Sequence, residues 1–293
     1  MPKLISVGQL IDQTWEGYTK HFRTFMKISL WTFAISLLWI IGDIFAPVGD
    51  TASIVASGSL TGVELFGLIT MIIASFPVAP IISIWILVSL IIMTEPLIAG
   101  KKIDIRATAK QGWKKFLPYI WVAFLKGIVL LIPVAFVIPG FALIFANMVV
   151  NGGALLGAIS ILVTFVGLVA AVVFSIMLTV ELNFIGFELT LKNMKGIKAL
   201  QASRSLVKGK FWATLFRIII PKIIFYLGGF LAQMLLMMLL TVLLASLSSI
   251  GAEGVIKLSE MFVHVASMAV IAIVTPLVVL ADYLLFDSLH KAK

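Results

Sequence analysis

Apolar residues recur at helical spacing over residues 10–25, 105–117 and 197–211, and each of these stretches opens into long runs that are apolar on every face. In the first, Val7, Leu10, Ile11, Trp15, Tyr18, Phe22 and Phe25 form a stripe opposite Gln9, Asp12, Gln13, Glu16, Lys20 and Arg23, as in an amphipathic helix. Ser6 followed by Gln9 fits a capping box that starts it. In the second, Asp104 suits an N-cap, with Ile105, Ala109, Trp113 and Phe116 in register. In the third, Ile197, Leu200, Ser203, Val207 and Phe211 oppose Lys198, Gln201, Arg204 and Lys208.

The apolar runs fall near residues 28–46, 68–94, 128–146, 155–180, 223–245 and 262–286. About 20 apolar residues cross a hydrocarbon core as helix. A membrane barrel would instead alternate over segments of about ten, which the run at 155–180 does not do. The pattern predicts an all-α polytopic membrane protein of six transmembrane helices. Trp15, Trp113 and Leu206 stand at similar intervals, and Glu95 before Lys101, Glu188 before Lys192 and Asp287 before Lys291 close three segments alike. The 293 residues therefore read as one integral membrane domain of three repeats, at approximately 1–99, 100–191 and 192–293. Each repeat is an amphipathic interfacial helix followed by two transmembrane helices.

Composition agrees with this class. Hydrophobic residues make up 61% and charged residues 12%, against roughly 25% charged in soluble domains. With no cysteine in the chain, disulfides and thiolate chemistry are excluded. The first 27 residues lack the short basic tip and apolar core of a cleavable signal peptide, so the first span is expected to be retained as a signal-anchor.

The net charge of +9 gains meaning from its placement. Lysine and arginine gather before the first span, between the second and third, between the fourth and fifth, and after the sixth; the other three connections hold only Lys257. Positive charge marks the cytoplasmic side, which predicts a protein of the inner or plasma membrane with both termini cytoplasmic. Lys110, Lys114, Lys115, Lys198, Arg204 and Lys208 are the candidate surface for anionic lipid headgroups, each worth about 1 kcal/mol near an anionic leaflet. A protein partner at the same side is the alternative occupant, and oligomeric state is left open. Nucleic acid is disfavoured, since the basic residues are spread over three helices already committed to lipid.

Lys126, Arg217 and Lys222 stand where amphipathic helices become spans, and Glu95, Glu181, Glu188, Asp282 and Asp287 stand near the ends of returning spans. Charge in a membrane is commonly paired and often functional, so these eight are candidates for charge pairing or for an ion pathway. Gly153, Gly157, Ser160, Thr164, Gly167, Ala171 and Ser175 form a small-residue ridge on the fourth span, the ordinary sign of close helix packing. Pro77, Pro80, Pro133, Pro139 and Pro276 are expected to kink spans. His21, His264 and His290 fall on different elements, and neither a metal-binding His pair nor a nucleophile elbow nor a phosphate loop appears. No catalytic, metal or cofactor site is predicted.

The segment from Phe187-Glu188 through Leu200-Gln201-Ala202-Ser203-Arg204-Ser205-Leu206-Val207-Lys208-Gly209-Lys210-Phe211-Trp212 contains the pattern A-x-x-x-S-x-x-L-V-K-G-x-F-W. It resembles the membrane domain found beside some bacterial glycerophosphodiester phosphodiesterases and its stand-alone relatives. The opening Ile5-Ser6-Val7-Gly8-Gln9-Leu10-Ile11, with Trp15 and Tyr18, is similar to the start of that group. In that family catalysis belongs to a separate soluble barrel, so the resemblance implies architecture and no catalytic residue. Mitochondrial carriers, which also have three two-span repeats, are set aside because their Pro-x-acid-x-x-base signature is absent. Two functions follow as expectations: a non-enzymatic scaffold or accessory module with a basic cytoplasmic face, or a transporter using charged residues at the repeat interface, along a polar path holding Lys126, Glu181 and Asp282.

Overall fold

In the computed structural model of the chain, six helices are long and apolar enough to cross a membrane, and no strand occurs among the described residues. Those residues are 4–47, 58, 60–246 and 252–292. Lys3, Lys293 and parts of the connections expected at 43–61 and 246–260 lie outside them.

The elements are α1 (Val7–Ser29), α2 (Phe33–Phe45), α3 (Gly62–Ile73), α4 (Ala79–Ile98), α5 (Ile105–Leu131), α6 (Ile138–Val150), α7 (Gly153–Glu181), α8 (Ile185–Thr190), α9 (Ile197–Val207), α10 (Phe211–Ser246) and α11 (Ala252–Lys291). The capping box at the start of α1 forms: Gln9 N–H donates to Ser6 Oγ at 3.2 Å, and Ser6 N–H donates to Gln9 Oε1 at 3.2 Å. Asp104 caps α5 through Arg106 N–H at 2.9 Å. A second capping box, Thr61 with Glu64, starts α3.

The candidate spans are Phe22–Phe45, Gly62–Ile98, Ile105–Phe136, Gly153–Thr190, Phe211–Leu244 and Gly254–Lys291. Five match the expected runs, ending at most one residue short of them and starting earlier. The third corrects the expectation. Residues 128–146 are not one helix; the chain tightens into a 3₁₀ turn at Ile132–Phe136 and restarts as the short α6. Pro133 and Pro139 explain the break, because neither offers an N–H and each ring crowds the preceding turn. The apolar length is instead reached within Ile105–Phe136, where the amphipathic segment and the span form one helix through Pro118. Elsewhere proline only perturbs: Pro77 sits in a π-turn at Ala74–Val78, and Pro276 lies inside an unbroken α11.

The chain divides into two compact bodies, one of Ile5–Phe116 with Ile219–Leu285, the other built on Leu117–Ile218 with the stretch from Phe286. In the first, α1 kinks at His21, whose torsions are non-helical (φ −115°, ψ 17°), where the amphipathic part becomes the span. Its apolar stripe is split. Leu10, Thr14, Tyr18 and Phe25 are buried, whereas Trp15 is 56% exposed and Phe22 is also exposed. The second amphipathic stretch behaves alike: Thr108 and Gly112 are buried, while Trp113 is 51% exposed. A Cβ at Gly112 would meet Ser89 Oγ at 2.2 Å, so only glycine lets α5 approach α4 this closely. Trp85 secures the contact, stacking on Trp113 at 5.6 Å and donating its indole N–H to Ala109 O at 3.1 Å.

In the second body the small-residue ridge of α7 packs closely, as its spacing predicts. A Cβ at Gly167 would meet Phe136 O at 2.2 Å, and one at Gly140 would meet Thr164 Oγ1 at 2.3 Å. An apolar cluster of Val122, Leu182, Ile185, Leu189 and Ala199 joins α5, α8 and α9. On the apolar stripe of α9 Ile197 is exposed, whereas Ser203 and Val207 are buried together with Ala199 and Leu206. Leu206, at 3% exposure, thus does not share the setting of Trp15 and Trp113.

Candidate functional site

The second body carries a break between α7 and α8, residues 182–184, and broken helices leave backbone groups that need partners. Ser203 of α9 supplies them, donating to Glu181 O at 2.6 Å and accepting from Phe184 N–H at 3.2 Å. On the next residue of the same helix, Arg204 Nε lies 3.1 Å from Glu181 Oε2. The A-x-x-x-S-x-x-L-V-K-G motif thereby gains a local explanation. Ala199, Ser203, Leu206 and Val207 form the buried face, and Gly209 turns the chain at φ +79°.

Glu188 is fully buried one helix further, its Oε1 3.1 Å from His290 Nε2. Phe286 reinforces the contact, edge-on to His290 at 4.5 Å and stacked on Phe187 at 5.4 Å. Lys210 Nζ donates to Ala292 O at 2.8 Å. Asp287 pairs with Lys291 one turn on. Arg217 Nη1 donates to Ala213 O at 2.7 Å. Lys126 lines a cavity of about 50 Å³ beside the break.

In the first body Lys222 Nζ lies 2.9 Å from Asp282 Oδ2, both half-buried, as expected for an acid closing one span and a base opening another. Glu95 is exposed at the end of α4. The lipid-facing candidates Lys110 and Lys114 here, and Lys198, Arg204 and Lys208 in the second body, are exposed; Lys115 is half-buried. On α1, burial pushes the Tyr18 hydroxyl up to about 12. Partial desolvation, then neighbouring Lys20, holds His21 below its ordinary range.

One cluster escaped the sequence reading. Asp43, 4% exposed near the end of α2, lies with its Oδ2 3.2 Å from His264 Nε2 on α11. His264 stacks on Trp39 at 4.7 Å, and Lys257 Nζ donates to Ile44 O at 3.1 Å. A polar residue inside an apolar run was the available signal, at both Asp43 and His264. Among the described residues no three of His, Asp or Glu converge as a metal cage requires.

Comparison with family models, curated proteins and solved structures finds no match to this chain. The six long apolar helices define the class: a multi-pass α-helical membrane protein.

Proposed function

We propose that this chain is a non-enzymatic membrane module, a scaffold or accessory subunit whose basic cytoplasmic side engages anionic lipid headgroups or a protein partner. The reading places it in the inner or plasma membrane with both termini cytoplasmic, as three repeats related to the membrane domain that accompanies bacterial glycerophosphodiester phosphodiesterases. The observation that carries it is the basic residues on alternate connections, with Lys110, Lys114, Lys198, Arg204 and Lys208 exposed on their helices. Such helices lie in the interface and draw anionic lipid.

The test is the selectivity of spin-labelled phosphatidylglycerol over phosphatidylcholine at the protein boundary in nanodiscs. Neutralising Lys110, Lys114, Lys115, Lys198, Arg204 and Lys208 together should abolish the preference; an unchanged preference overturns the lipid reading. A transporter is the second reading, favoured by the ion pairs Lys222–Asp282 and Asp43–His264 within candidate spans. Counterflow in proteoliposomes that is lost in Asp43→Asn would support it.

A further inference from the structure

Two pairs of a carboxylate and a histidine lie in candidate spans, and they are built differently. Glu188 and His290 are joined by a hydrogen bond at 3.1 Å. Asp43 Oδ2 lies 3.2 Å from His264 Nε2, yet that oxygen is buried and accepts no hydrogen bond among the described residues. The attraction at this second pair therefore depends on the charge that each member carries. His264 also stacks on Trp39 with ring centres 4.7 Å apart. Trp39 and Asp43 stand four residues apart in α2, on one face of the helix. A cation over an indole face is drawn to the ring's quadrupole. A protonated His264 thus has a carboxylate at its edge and an indole against its face, and a neutral one gives neither contact a charge.

Histidine is the side chain that changes charge between about pH 5 and 8. Loss of the ring proton leaves Asp43, 4% exposed, without the imidazolium beside it. A buried carboxylate is costly unless it is paired or wetted. Separation of α2 from α11, or entry of water between them, relieves that cost. The surrounding charges act from three helices. On α11, Lys257 donates to Ile44 O, and the exposed Glu260 is a like charge near Asp43. On α3, Glu64 caps its own helix through Thr61 and feels Lys257.

We propose that Asp43, His264 and Trp39 form a binding site for one exchangeable proton, which clasps α2 to α11 when loaded and frees them when empty. The neutral imidazole takes the proton from water to give the imidazolium and returns it on release; no other bond changes. Exchange runs through His264, whose side chain is 25% exposed. The site rests on the same ion pair as the transporter reading, and not on transport itself.

The experiment is a spin–spin distance measurement on the full chain in nanodiscs. Labels on Leu37→Cys and Ile256→Cys, exposed positions of α2 and α11, leave Asp43, His264 and Trp39 intact. From about pH 6 to about pH 8.5 the distance should pass from one narrow population to a longer or broader one. The change should vanish in His264→Gln, shrink in Trp39→Leu, and persist in His21→Gln and His290→Gln, which remove the other two histidines. In a cycle of Asp43→Asn with His264→Gln, the coupling in the unfolding equilibrium should be about tenfold or more larger at the lower pH. A distance that ignores pH with both residues present, or a coupling equal at both pH values, overturns the site. A pH-dependent distance without counterflow keeps the clasp and removes the transporter reading; counterflow with a pH-independent distance does the reverse.

Discussion

Breaking the Lys222–Asp282 pair tests whether charge inside the spans holds helices together. Two unit charges 2.9 Å apart attract by about 6 kcal/mol at an effective dielectric of about 20, before desolvation is subtracted. Both side chains are half-buried, so most of that gross figure is offset by the water they give up. What survives is the penalty for breaking the pair from one side. Lys222→Met or Asp282→Leu alone should each destabilise by about 3 kcal/mol or somewhat more, because each removes one member of a largely buried ion pair. The double variant should recover most of the loss, since apolar replacement of a buried pair is often neutral. Unfolding in mixed micelles, followed by circular dichroism across the four-member cycle, measures the coupling. A coupling near 2–3 kcal/mol is expected for residues in direct contact. Additive single effects, with coupling below about 0.5 kcal/mol, would refute the claim that α10 and α11 are joined by this pair.

Ser203→Ala should cost about 1–3 kcal/mol, because Glu181 O and Phe184 N–H lose their shared partner at the helix break; denaturation midpoints check this, and Ser203→Thr is the conservative control. Gly167→Val should lower the midpoint by an amount equivalent to about 1–3 kcal/mol of overpacking or more, since Phe136 O occupies the added volume. Tyr18→Phe should leave stability unchanged or raise it near neutral pH, because the buried hydroxyl has no hydrogen-bond partner among the described residues. At high pH the sign is fixed by the raised Tyr18 pKa. The unfolded chain releases the proton from about pH 10 while the folded chain keeps it to about 12, so stability present below 10 is lost across that window. Melting curves of Tyr18→Phe should lack that component of the loss.

The spans were legible because an unbroken run of about twenty apolar residues matches the thickness of a bilayer core as helix and is too long for a barrel strand. The capping box at Ser6 and the N-cap at Asp104 were legible from local chemistry. Which face of each helix meets protein was not. In water an apolar stripe marks the core, but lipid is as apolar as leucine, so the stripe marks only what avoids water. Trp15, Trp113 and Ile197 belong to their stripes and are exposed, while Thr14, Gly112 and Ser203, small or weakly polar, sit in the contacts. The third span was displaced for a related reason. Hydropathy alone runs smoothly through Pro133 and Pro139, and the helix breaks there through their missing N–H groups and the crowding of their rings. Among the site residues, Lys222 and Asp282 were legible as candidates for charge pairing, without their partners. The pairings of Glu188 with His290 and of Asp43 with His264 were not legible, because nothing local at either residue announces a partner so distant in sequence.

The orientation of the chain is tested most directly by single-cysteine labelling, for which the native sequence, lacking cysteine, is already a clean background. Val150→Cys, exposed beside the turn at Asn151, should react with a membrane-impermeant maleimide on intact cells. Lys101→Cys and Ser205→Cys, exposed on basic connections, should react only after lysis. Labelling of Ser205→Cys from outside, or protection of Val150→Cys, would contradict the assignment of every basic connection to the cytoplasm.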